Sequence, residues 1–161
     1  MEVNNFSTSI TVNRSPNEVF DAINNVRGWW SEEISGDTDK LGAEFDYHYE
    51  NIHRSKMKIV EFVPGKRVAW LVTENYFNFT KDSTEWTGDK IVFDIVTIGD
   101  KTQVVFTQVG LVPESECYEI CEKAWTYYVQ LSLLALITDG RGNPNGKGKA
   151  QTEDEKRLSN Q

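Results

Sequence analysis

Apolar and polar residues alternate along much of the chain, and that alternation predicts most of its elements. Phe6, Thr8, Ile10 and Val12 share one face of a strand over Phe6–Val12. Phe45, Tyr47 and Tyr49 point one way and Glu44, Asp46, His48 and Glu50 the other, a half-buried antiparallel strand. Met57–Phe62 and Val68–Thr73 read as two further strands, separated by the Pro64-Gly65 turn. Asp89–Ile98 is the clearest strand, and Gly99-Asp100-Lys101 turns it back into Thr102–Val109. Residues 75–87 are aromatic yet polar, without a clean period, and fit a ragged strand or a long loop.

Two segments carry helical spacing. Ser15-Pro16-Asn17-Glu18 is a capping box with proline at the first helical position. The helix it opens has Val19, Phe20, Ile23 and Val26 on its apolar side, and Gly28 is expected to end it. A long helix is expected from about Glu114 to Thr138, closing at Gly140. At 100° per residue its packing stripe is Cys117, Cys121, Ala124, Tyr128, Leu131 and Ala135. Residues 141–161 are glycine-rich and then charged, and read as a polar, disordered tail behind a single domain over 1–140. The predicted class is α+β: a curved antiparallel sheet of about six strands wrapped on a long C-terminal helix, with short helices after the first strand.

Composition narrows the partners. The 161 residues carry a formal net charge of −8. Such a surface repels phosphate backbones, which argues against nucleic acid and anionic membranes. No apolar run approaches the roughly 20 residues of a membrane span, and the N-terminus lacks the pattern of a secretory signal. The two cysteines, Cys117 and Cys121, lie four apart on one helical face, where they pack as free thiols. A cytoplasmic location follows as the expectation.

Four stretches, "SPNEVFDAINNVRGWW", "KIVEFVPGKRVAWLV", "EWTGDKIVFDI" with "KTQVVFTQVGLVPESECYEICEKAW", and "SLLALITDGRGNP", resemble the SRPBCC proteins, the START or Bet v 1-like superfamily. Within it the chain is most similar to the bacterial branch named for the C-terminal domain of the Hsp90 ATPase activator. The resemblance implies the helix-grip fold, with a cavity between sheet and long helix that holds hydrophobic molecules in the wider superfamily. It departs at Gln108, where the family pattern often has histidine. Chaperone contact is implied by family analogy only.

The candidate site is aromatic. Trp29 and Trp30 are adjacent, so they cannot share a face. Either both plug the gap between short helices and sheet, or one packs while the other lies at a cavity mouth. Phe45, Tyr47, Tyr49, Trp70, Phe93, Phe106, Trp125 and Tyr128 are expected to point inward, either as filled core or as an apolar lining with hydroxyl tips. His48 is expected to face water and His53 to lie in a turn, and neither has the converging neighbours of a metal site. Glu61 either points inward with Met57 and Ile59, as a buried acid, or pairs with Arg67. No cofactor or metal is expected, and no nucleophile–base pair stands out. The expected function is binding of a small apolar or amphipathic ligand. The alternatives are a protein-interaction module of co-chaperone type and a cavity enzyme of cyclase or hydrolase type.

Overall fold

A computed structural model describes residues 4–146 and 149–159; the ends of the chain and Lys147-Gly148, parts of the expected tail among them, lie outside the described residues. Seven strands form one antiparallel sheet: β1 (Phe6–Val12), β2 (Ser35–Gly36), β3 (Glu44–Tyr49), β4 (His53–Val63), β5 (Arg67–Phe77), β6 (Lys90–Ile98) and β7 (Lys101–Val109). Their order is β1-β7-β6-β5-β4-β3-β2, so β1 closes one edge beside β7 and the two-residue β2 the other. The sixfold expectation missed only β2, too short to carry a period. Strand β4 also starts earlier than its alternation suggests, which moves His53 from the expected turn onto a strand paired with Tyr49 and Phe77.

Between β1 and β2 lie α1 (Pro16–Asn24) and α2 (Val26–Trp29). The backbone N–H of Glu18 donates to Ser15 Oγ at 3.2 Å, the cap that the sequence announces. Helix α1 ends at Asn24 rather than Gly28. Gly28 sits inside α2, where a Cβ would lie 2.6 Å from Asn25 Nδ2 and 3.1 Å from Leu136 Cδ2. Close approach to the long helix is therefore what the glycine provides.

The long helix runs as α3 (Tyr118–Tyr127), a π-helical turn (Tyr128–Leu133) and α4 (Leu134–Asp139), and Gly140 ends it in the left-handed conformation. It clasps the curved sheet. A π turn holds one extra residue, so every later side chain is rotated relative to a regular helix. The packed stripe starts with Cys117, Cys121 and Tyr128 as expected, with Trp125 buried beside a half-buried Ala124, then shifts to Val129, Ser132, Leu133 and Ile137. Leu131, expected inside, is 59% exposed.

The described part of the expected tail is folded. Asn145 donates its backbone N–H to Trp30 O (2.9 Å), and Asn145 O accepts from the N–H of Glu32 (2.8 Å). Ser132 Oγ, inside the π turn, donates to Trp29 O (2.6 Å) and accepts from Asn143 N–H (2.7 Å). A short helix, α5 (Glu153–Ser159), then returns to the open end of the grip. Thr152 and Glu155 cap it reciprocally: Glu155 N–H donates to Thr152 Oγ1 (3.1 Å) and Thr152 N–H to Glu155 Oε1 (3.3 Å). Composition suggested disorder because one apolar residue, Leu158, anchors this helix.

Candidate functional site

The concave side of the sheet divides into a filled half and an open half. In the filled half, Trp29 packs parallel to Trp70 (centroids 6.5 Å apart, 21° between planes) and edge-on to Phe93 at 5.8 Å. Phe93 meets Phe106 edge-on at 5.2 Å, and Phe45 meets Trp70 at 5.0 Å. All five are buried, and the Trp29 indole N–H donates to Ile23 O at 3.0 Å. These five expected lining residues are core: each packs against other rings and none borders the cavity between sheet and long helix.

Trp30, on the other side of its twin, stacks on Tyr47 with centroids 4.0 Å apart and planes 8° apart. It also meets Trp125 at 4.8 Å. Together with Tyr49 and Tyr128, these residues border a cavity of about 50 Å³ between β3–β5 and the long helix. Five of the ten expected residues thus meet there. The remaining wall comes from places the strand patterns did not mark. Ile52 and His53 come from the β3–β4 turn and the start of β4, and Phe77, Phe79 and Trp86 from the end of β5 and the loop after it. Ile120, Cys121 and Ala124 come from α3, and Glu155 and Leu158 from α5.

Residues 78–89 form the roof, and carboxylates hold them to the start of the long helix. Glu85 accepts from the N–H groups of Glu116 (2.6 Å) and Cys117 (3.0 Å). In return Glu116 accepts from the N–H groups of Lys81 (2.7 Å) and Asp82 (3.2 Å). Underneath, Asn75 Oδ1 accepts from Trp86 N–H (3.0 Å), and its Nδ2 donates to Ser55 Oγ (3.1 Å). These bonds place the Trp86 ring nearly parallel to Trp125, with centroids 5.8 Å apart.

Polar groups around the cavity are few, and burial shifts most of them. The His53 ring is packed by Tyr47, Phe77 and Trp86, and this burial pushes its pKa down to about 3. It is a neutral imidazole at ordinary pH. Its Nε2 lies 2.8 Å from Ser55 Oγ, a pairing of base and hydroxyl that the sequence reading did not detect. Ser55 Oγ also accepts from Asn75 and does not border the cavity, so the pair ties strand to roof. Tyr128 Oη donates to both Glu155 oxygens (2.8 and 3.0 Å) and accepts from Asn145 Nδ2 (2.9 Å), which also donates to Tyr47 Oη (2.8 Å). Burial raises the pKa of Tyr47 and Tyr128, and also raises that of the Glu155 carboxyl. The Cys121 thiol is held up by burial and by neighbouring Cys117, which leaves it protonated and unreactive.

Gln108, the departure from the family pattern, lies behind the cavity. Its Oε1 accepts from the Trp125 indole N–H at 2.7 Å and its Nε2 donates to Asp89 Oδ2 at 2.9 Å. It fixes the ring that forms the cavity floor. Glu61 turns away from the cavity: a bulge between Ile59 and Glu61 rotates it off the inner face, and its Oε2 pairs with Arg67 Nε at 3.2 Å. His48 stays on the polar face of β3, outside the cavity. Among the described residues no three His, Cys, Asp or Glu side chains converge as metal ligands, and no helix is long and apolar enough to cross a membrane.

No family model and no curated protein matches the chain. Solved structures do. The Aha1 dimer from Colwellia psychrerythraea matches with a TM-score of 0.69 at 23% identity, over 86% of this chain and 98% of that one. DynU16, a protein from the dynemicin biosynthetic locus, matches with a TM-score of 0.66 at 12% identity, over 89% of this chain and 51% of that one. CalU16 from Micromonospora echinospora matches with a TM-score of 0.59 at 14% identity, over 83% of this chain and 74% of that one. At these identities the likeness is one of fold, and it agrees with the architecture of the sheet and long helix: the chain has a helix-grip fold.

Proposed function

We propose that the protein binds a small apolar or amphipathic molecule between its sheet and its long helix. One observation carries the reading. At the open end of the grip, Trp30, Trp86, Trp125 and Tyr47 surround unfilled space, while the other half of the same concave face is packed solid. Apolar walls with a few convergent polar tips are the usual make-up of a small-molecule site. Here the tips are the hydroxyls of Tyr49 and Tyr128 and the carboxyl of Glu155. The reading is in keeping with DynU16, a protein of similar fold from a biosynthetic locus.

The chemistry of the walls favours binding over catalysis. His53 is neutral and bonded to Ser55, Cys121 is a protonated thiol, and the tyrosines are held protonated. Three tryptophans in contact with the ligand make binding visible. Titration with a panel of lipids and small aromatic molecules should change tryptophan emission saturably with at least one of them. Unchanged emission across the panel, with no heat of binding by calorimetry, would reject the proposal.

A further inference from the structure

The cavity at about 50 Å³ has room for a few water molecules rather than a ligand. Two side chains at its border come from the C-terminal helix α5. Glu155 and Leu158, both on α5, are only 8% and 7% exposed. Leu158 is an apolar group set into an aromatic wall, and three residues before it a carboxyl group accepts the Tyr128 hydroxyl. The attachment of α5 is slight. Besides these two residues it has the contact of Ser159 Oγ with Tyr49 Oη at 2.8 Å, and Gln151 ahead of the helix accepts from Tyr127 Oη at 3.0 Å.

Resting on the ligand-binding reading above, we propose that α5 is an internal occupant of the ligand seat. The ligand that displaces it is an apolar molecule ending in a carbonyl-type oxygen, whose acceptor takes the place of the Glu155 carboxyl on Tyr128 Oη. When α5 leaves, Tyr128 keeps its incoming bond from Asn145 but its own O–H points into an aromatic pocket without an acceptor. A pure hydrocarbon leaves that donor orphaned, at the full cost of its lost solvation; a carboxyl or ketone oxygen satisfies it. The two amide donors that Glu155 also uses, from Gln151 and Thr152, depart with α5. Among the described residues no cation borders the cavity, so the acceptor oxygen, not a negative charge, is what the seat selects.

Three probes with the same phenylbutyl body, ending in a carboxylic acid, a methyl ketone or a plain methyl group, test this with the full-length protein. The acid or the ketone, the two arms separating charged from neutral acceptors, should bind roughly tenfold tighter than the hydrocarbon, and Tyr128→Phe should remove that preference. Saturation with the preferred probe should move the backbone amide signals of Lys156–Ser159 to random-coil positions in NMR spectra. Leu158→Asp, which releases α5 and leaves the wall from sheet, loop and long helix unchanged, should raise probe affinity on the order of tenfold, because a larger fraction of the protein is then open. Leu158→Ala gives the same direction should the aspartate disturb folding by circular dichroism. Equal affinity for all three probes would overturn the acceptor assignment, and α5 amides that stay put at saturation would overturn the displacement. Absence of binding by any probe, in wild type and in both Leu158 variants, would overturn this inference together with the ligand-binding reading.

Discussion

Gln108→Leu isolates what holds the cavity floor in place. The substitution keeps the side chain's approximate size and removes two hydrogen bonds from a fully buried position. The Trp125 indole N–H, bonded at 2.7 Å in the wild type, is left without a partner inside the core. An orphaned buried donor costs about 1–3 kcal/mol, and losing the Asp89 bond at the start of β6 adds about 1 kcal/mol. The expected destabilisation is thus about 2–4 kcal/mol. For a chain of this length each kcal/mol lowers Tm by about 2–4 °C, so Tm should fall by about 4–16 °C. Urea unfolding followed by tryptophan fluorescence measures the change. The companion variant Trp125→Phe removes the donor itself. Combined with Gln108→Leu it should cost less than the two single changes summed, by about 1 kcal/mol or more. A Gln108→Leu cost below about 0.5 kcal/mol, or strict additivity, would refute the claim that this bond anchors the ring.

Asp89 sets a pH dependence. Burial pushes its carboxyl from 3.8 up to about 6, so the folded state holds the proton more tightly than the unfolded chain. This group therefore lowers stability as pH rises from roughly 4 to 6. Asp89→Asn cannot ionise, and its stability relative to wild type, measured by denaturant unfolding at pH 4 and pH 7, should be higher at pH 7; parallel profiles would contradict this. The π turn ranks two leucines. Leu131→Lys should change stability by less than about 0.5 kcal/mol, whereas Leu133→Ala should cost about 2–5 kcal/mol. A regular helix through Tyr128 would reverse that order. Ala124 borders the cavity, so Ala124→Leu should fill it and reduce probe binding on the order of tenfold or more while the protein stays folded; unchanged affinity would place the seat elsewhere.

Much of the scaffold was legible because its signals are local. The Phe45-Tyr47-Tyr49 alternation, the Ser15 cap and Gly140 each act within a few residues, and each stands where it was expected. The packing of the long helix was legible only up to Tyr128. A constant 100° step has no place for the extra residue of the π turn, and that turn is stabilised through Ser132 by distant Trp29 and Asn143. The site was half legible for a similar reason. Strand alternation separates inward from outward but does not tell which inward ring has another ring against it. Trp29 and Trp30 are both buried against other rings, and only Trp30 borders the cavity. Phe77, Phe79 and Trp86 lie where the period fails; pairing with β4 places Phe77, and carboxylate bonds across more than 30 positions of chain hold the loop that carries Phe79 and Trp86. Helix α5 did leave a signal, the Thr152–Glu155 capping box, which the surrounding charge outweighed.

The proposed ligand seat lies between the sheet and the long helix, among Trp30, Trp86 and Trp125. Intermolecular nuclear Overhauser effects from a saturating phenylbutyl probe locate that seat directly. The rings of these three tryptophans should give cross-peaks to the probe. Cross-peaks confined to outer-face residues such as Arg54 and Tyr76, with none to the three rings, would contradict it.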